Sequence, residues 1–68
     1  MIRLRINGVE DEVAVTTVAE LLAVRGIDPK ARFLAIAVNG AVLRRGEWLA
    51  HRLSPGDDVE IVRPLSGG

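Results

Sequence analysis

The residues with the plainest chemical potential are the last two. The chain ends on Gly67-Gly68. A terminal glycine carboxylate has no Cβ beside it, so it can enter a narrow channel and reach an ATP α-phosphate without steric penalty. An acyl adenylate made there would be open to attack by a sulfur nucleophile. That chemistry asks only for a slim end on a flexible arm; base, metal and nucleotide pocket would belong to a partner. At about 7% average glycine usage, two terminal glycines coincide by chance in roughly one chain in 200. The pair therefore gains its weight from the elements that carry it.

No other residue offers a competing chemistry. His51 is the single histidine, and with no second ligand it reads as a surface histidine on a turn rather than a metal site. There is no cysteine, which excludes both a disulfide scaffold and a thiol nucleophile. No Ser-His pair or metal cluster suggests a free-standing enzyme. The glycines stand singly as turn formers, with no phosphate-cradling loop among them, so any ATP must bind a partner. Trp48 reads as a core anchor. Arg44-Arg45 reads as solvated surface, with the grip of an acidic partner as the functional alternative.

Sixty-eight residues make one small domain. Nine basic residues balance nine acidic ones, and this neutrality argues against a nucleic-acid binder. No apolar run approaches the roughly 18–20 residues of a membrane span. Arg3 and Arg5 interrupt the N-terminus and no apolar stretch follows, so no secretory signal is expected. These features imply a cytoplasmic domain of about 3–10 kcal/mol stability, scaled from per-residue values.

The elements follow from periodicity. Residues 2–6 alternate as Ile-Arg-Leu-Arg-Ile, a half-buried strand with Ile2, Leu4 and Ile6 inward. Asn7-Gly8 is a type I′ turn centre, and residues 9–15 return as a second strand. A two-residue loop pairs Ile6 with Val9, Arg5 with Glu10, Arg3 with Glu12 and Ile2 with Val13. It also sets Leu4 against Asp11, so either the hairpin overhangs the core there or the loop is longer. Thr17-Val18-Ala19-Glu20 matches a capping box. Val18, Leu21, Leu22 and Arg25 share one helical face, and Gly26 supplies the stop. A helix is expected over residues 18–25. Residues 27–33 read as a loop and 34–38 as a strand. Asn39-Gly40 turns the chain into Ala41-Val42-Leu43. Trp48, Leu49 and Leu53 are expected to anchor an irregular stretch. Ser54-Pro55-Gly56-Asp57 is a turn. Residues 59–62 form the last strand, with pairing ending near Arg63 before Pro64.

Strand, strand, helix, strand, short strand, strand describes an α+β fold. We read it as a ubiquitin-like β-grasp over residues 1–64: a mixed sheet of four to five strands with one main helix on one face. Residues 65–68 are read as a flexible tail carrying the reactive Gly-Gly. Strand parity also suggests a docking surface. If Ile36 and Val38 face inward, Ala35, Ala37, Val42 and Val62 share the outer face. They would form one apolar patch beside the tail, with Leu65 as a further contact. Scattered surface apolar residues would be the ordinary alternative.

Across the whole chain the sequence resembles the ThiS-type sulfur carrier family of thiamin biosynthesis. Thr17-Val18-Ala19-Glu20-Leu21-Leu22 is similar to that family's helix start, and Ala37-Val38-Asn39-Gly40 to its hairpin. Arg45, Glu47 and Trp48 resemble its Arg-x-Glu-Trp stretch. Gly56 through Pro64 resembles its last strand, and Gly67-Gly68 its active end. Arg44 stands where the family often has Pro, and Ser66 where it often has Gly or Ala; neither touches the terminal carboxylate.

The resemblance implies a cycle. A ubiquitin-activating-type (ThiF-like) adenylyltransferase uses Mg-ATP to adenylate Gly68, with Gly67 supplying slimness and freedom. A cysteine desulfurase or other sulfur donor then converts the adenylate to a thiocarboxylate, and a ThiG-like thiazole synthase consumes the sulfur. No cofactor, metal, nucleic acid or membrane is implied for the chain itself. Two other readings share the pattern: a carrier for molybdopterin or another sulfur acceptor, whose molybdopterin relatives tend to be longer, and a TGS-like β-grasp binding module, which normally sits inside a longer chain.

Overall fold

The structure is a computed structural model and describes residues 1–63. The strands are β1 (Ile2–Ile6), β2 (Val9–Val13), β3 (Ala35–Val38), β4 (Ala41–Leu43) and β5 (Asp58–Val62), with one α-helix, α1 (Val18–Val24), after β2. They form one five-stranded sheet in the order β2-β1-β5-β3-β4. Only the β1–β5 pair is parallel; the other three are antiparallel. This is the β-grasp expected from the element order. The boundary expected at residues 64 and 65 lies outside the described residues.

Both Asn-Gly turns take the conformation their composition dictates. Asn7 and Gly8 have φ of 51° and 84°, and Asn39 and Gly40 have 52° and 84°. Two positive φ values in succession define type I′, whose twist matches the flanking strands. The first hairpin has the expected register, Leu4 opposite Asp11 included. So the loop is two residues long and the hairpin overhangs. In β2 only Val13 is buried. Asp11 therefore reaches past the core, where its carboxylate takes a 3.0 Å ion pair from Arg25 at the end of α1. The apolar face of the helix thus ends in a charge that meets its partner at the rim. Arg3 pairs not with Glu12 opposite but diagonally with Glu10, at 3.6 Å. A long arginine reaches a diagonal neighbour readily. The strand expected over 9–15 stops at Val13, though Val15 still enters the core.

Helix α1 is capped more fully than its sequence signature suggests. Thr17 Oγ1 accepts from the Glu20 amide at 3.2 Å, but the Glu20 carboxylate reaches back to the Thr16 amide, one residue beyond the expected partner. The first two helical amides, of Val18 and Ala19, donate to the carbonyls of His51 and Trp48. The orphan donors that open every helix are therefore met partly by a segment thirty residues away. At the other end Gly26 has φ 71°. Its amide donates to Ala23 and that of Ile27 to Leu22, the paired bonds of a Schellman stop. The helix ends at Val24, with Arg25 as its cap.

Val18, Leu21 and Leu22 pack against Leu4, Ile6, Ile36, Val38, Val59 and Ile61 from the inner face of the sheet. Trp48 and Leu53 close the rim. Leu49, expected as an anchor, is 81% exposed. The 3₁₀ turn Arg45–Glu47 delivers Trp48 inward, and its immediate neighbour is then turned outward. The strand expected from residue 34 begins at Ala35, and β5 begins one residue earlier than expected, at Asp58. Leu22 is fully buried. Leu22→Ala is expected to cost about 2–5 kcal/mol, most of a small domain's stability, measured as a fall in the urea midpoint with the slope unchanged.

Candidate functional site

The site is built around the end of β5. This strand is last in the chain yet central in the sheet, held by β1 on one side and β3 on the other. Its burial alternates: Val59 and Ile61 inward, Asp58, Glu60 and Val62 outward. The Ser54–Asp57 turn sets this phase. Gly56 takes φ 89° after Pro55, the order a type II turn requires. The Asp57 carboxylate accepts from the Ser54 amide at 2.8 Å.

The outer face of the sheet is divided. Toward β2 it is charged: Arg3 and Arg5 on β1 stand in register with Glu12 and Glu10, and Arg5 with Asp58. Toward β4 it is apolar. Ala35 is in register with Val62, and Ala37 with Val42. Val62 is 58% exposed and Val42 77%; Ala35 is exposed and Ala37 half-buried. The structure brings these four candidate residues onto one surface at the end of the sheet where the last strand finishes. Glu60, in register with Ala37, borders it. The candidates Leu65, Gly67 and Gly68 lie outside the described residues.

The sequence reading missed Phe33. It is the only phenylalanine, 78% exposed, and has φ 63°, a conformation bulky side chains avoid. It lies two residues before Ala35, the register partner of Val62. A lone aromatic following Asp28, Lys30 and Arg32 in a loop was the available signal. Arg45 fixes the loop that displays it. The guanidinium donates to the carbonyls of Pro29 and, at 2.9 Å, Ala31. It also stacks 4.8 Å from the Trp48 ring centroid. Trp48 in turn is 3% exposed and donates Nε1–H to the Leu43 carbonyl at 3.2 Å. So Trp48 is the expected anchor, whereas Arg45 is not idle solvated surface but a clamp between the loop and the indole.

His51 is half-buried and contributes a backbone carbonyl to α1. Among the described residues no group of His, Cys, Asp or Glu could hold a metal ion. No buried side-chain polar atom there lacks a partner. No helix among them is long and apolar enough to cross a membrane.

A mixed five-stranded sheet gripping one helix, with its last strand central and ending beside an exposed apolar face, defines a ubiquitin-like β-grasp protein. The sequence pattern of the ThiS family matches residues 4–68. The crystal structure of a thiamine biosynthesis protein (ThiS) from Geobacter metallireducens superposes with a TM-score of 0.79 at 30% identity, covering 98% of this chain and 100% of that one. The solution structure of a thiamine biosynthesis protein from the same organism gives 0.79 and 30%, with 98% and 88% covered. No curated protein matches the chain. The chain belongs to the ThiS family: it is a ThiS-type, ubiquitin-like sulfur carrier of thiamin biosynthesis.

The clamp at Arg45 can be tested alone. Arg45→Ala is expected to cost about 1 kcal/mol, lowering Tm by about 4–8 °C in a domain this size. Arg45→Lys restores little of it, because an ammonium cannot fork between two carbonyls while stacking on the indole. Calorimetry of the three proteins reads the difference.

Proposed function

We propose that Gly68 carries the sulfur, as a thiocarboxylate made and consumed by partner enzymes. A Gly68 carboxylate oxygen attacks the α-phosphate of Mg-ATP bound to a ubiquitin-activating-type, ThiF-like adenylyltransferase. Pyrophosphate leaves and an acyl adenylate remains. A persulfide on a cysteine desulfurase or other donor attacks the carbonyl carbon, and AMP leaves. A thiol then reduces the acyl disulfide and frees the thiocarboxylate. A ThiG-like thiazole synthase takes that sulfur into the thiazole ring. The chain is thus a co-substrate rather than an enzyme, and Mg-ATP belongs to the partner.

One observation carries this reading: β5 ends at Val62 beside the apolar outer face, and six residues, Arg63 to Gly68, follow it. Fully extended, six residues span at most about 22 Å. A partner that receives the Gly68 carboxylate must therefore rest on the body of the domain near the end of β5. The exposed or half-buried apolar residues near that end are Val62, Ala35 and Phe33, with Ala37 and Val42 one row further in. We assign them, with Leu65 from the tail, to the docking surface.

Intact mass after incubation with Mg-ATP, a ThiF-like enzyme, cysteine and a desulfurase tests the chemistry. The expected product has one oxygen replaced by sulfur in the C-terminal peptide. Thiazole formed on addition of a ThiG-like synthase identifies the acceptor; transfer only to a molybdopterin precursor would redirect it. Deleting Gly68, or adding residues after it, abolishes loading and leaves Tm unchanged. A tail-extended chain that took up sulfur untrimmed would sink the mechanism. Phe33→Ala and Val42→Asp are each expected to raise the KM of the carrier for adenylation by about tenfold, the equivalent of about 1.4 kcal/mol of lost contact, with circular dichroism unchanged.

A further inference from the structure

Asn7 does something that its turn does not require. On the β1 side of β5 the main-chain bonds run from the Arg5 amide to Asp57 and from the Asn7 amide to Val59, both 2.9 Å. There β1 ends. The next β5 residue, Ile61, would have its amide and carbonyl unpaired on that side. The Asn7 side chain meets both. Its Oδ1 accepts from the Ile61 amide at 2.8 Å, and its Nδ2 donates to the Ile61 carbonyl at 3.2 Å. A carboxamide carries the same donor and acceptor as a peptide unit, so Asn7 adds one more rung to the ladder. Only Val62 and Arg63 follow before the segment that ends in Gly68.

Asn39 is its counterpart at the other end of β5. Its Oδ1 accepts from the Asp58 amide at 2.9 Å, and its Nδ2 donates to the Asp57 carboxylate at 3.0 Å. The two turns thus flank the central strand, each bonding one of its ends. Only the Asn7 bonds are at the end that leads to Gly68, and only they are partly buried.

We propose that Asn7 is a positioning residue for adenylation. It keeps β5 in the sheet through Ile61, so that the chain leaves the domain from a fixed point and in a fixed direction on the apolar face. Without it the end of β5 frays on its β1 side, and docking must then order that end. The inference rests on the reading that Gly68 is adenylated by a docked partner.

Asn7→Gly removes the amide and keeps the positive φ without strain; Asn39→Gly makes the same change at the far end of β5. Asn7→Asp keeps the acceptor and loses the donor. Each is assayed for adenylation by a ThiF-like enzyme with Mg-ATP, and for hydrogen exchange at the Ile61 amide. Asn7→Gly is expected to raise the KM for the carrier about fivefold to tenfold with kcat within about twofold, while Ile61 exchanges at least about tenfold faster. Asn7→Asp moves KM in the same direction. Asn39→Gly lowers Tm but leaves KM and Ile61 exchange within about twofold. Equal KM for wild type and Asn7→Gly, or an equal rise in Asn39→Gly, overturns the positioning role. A wild-type chain that is not adenylated overturns the functional reading instead, and the positioning role falls with it.

Discussion

Everything in this domain depends on inserting the last strand between the first and the third. The sheet is not closed until β5 arrives, because β1 and β3 have no other contact with each other in the strand order. Parallel pairing of β1 with β5 joins residues more than fifty positions apart, so the core cannot form piecemeal. Val59 and Ile61 complete the layer that α1 covers. The same insertion bonds the last strand along both edges, the firmest hold a sheet offers.

The polar devices of the fold converge on that strand. Asn7 and Asn39 bond its two ends through their side chains. Gly56 donates its amide to the Arg3 carbonyl, tying the preceding turn to β1. The segment 48–51 caps the start of α1, and Arg45 ties the loop after α1 to Trp48. None of these bonds adds much alone; a typical net hydrogen bond contributes about 1 kcal/mol. Their value lies in specificity, because each joins a loop to an element distant in the chain and fixes a register that hydrophobic burial leaves loose.

The outer face separates two tasks. Its charged half, over β1 and β2, meets water and blunts the edge strand β2 with Glu10 and Glu12. Its apolar half, over β3, β4 and the end of β5, is exposed among the described residues. Both halves belong to one sheet, so the apolar half keeps a fixed place relative to the end of β5.

Much of this was legible in the residues. Alternation located the strands within one or two positions, Asn-Gly set both hairpins and the first register, and Thr17 with Gly26 bounded the helix. These signals are local: a turn, a cap and a period each depend on neighbours within a few residues. Parity also put Ala35, Ala37, Val42 and Val62 on one face. Leu49 was misread, and the bonds of exposed Arg45 went unseen, because the direction of a side chain in an irregular segment is set by what lies across from it. The diagonal Arg3–Glu10 pair and the Asn7 bonds to Ile61 were not legible either, because each joins a side chain to a group on another strand. The sequence by itself determined the elements and their inward faces. Only tertiary structure decided what those turns and loops hold in place, because hydrogen bonds between residues 7 and 61 have no period to betray them.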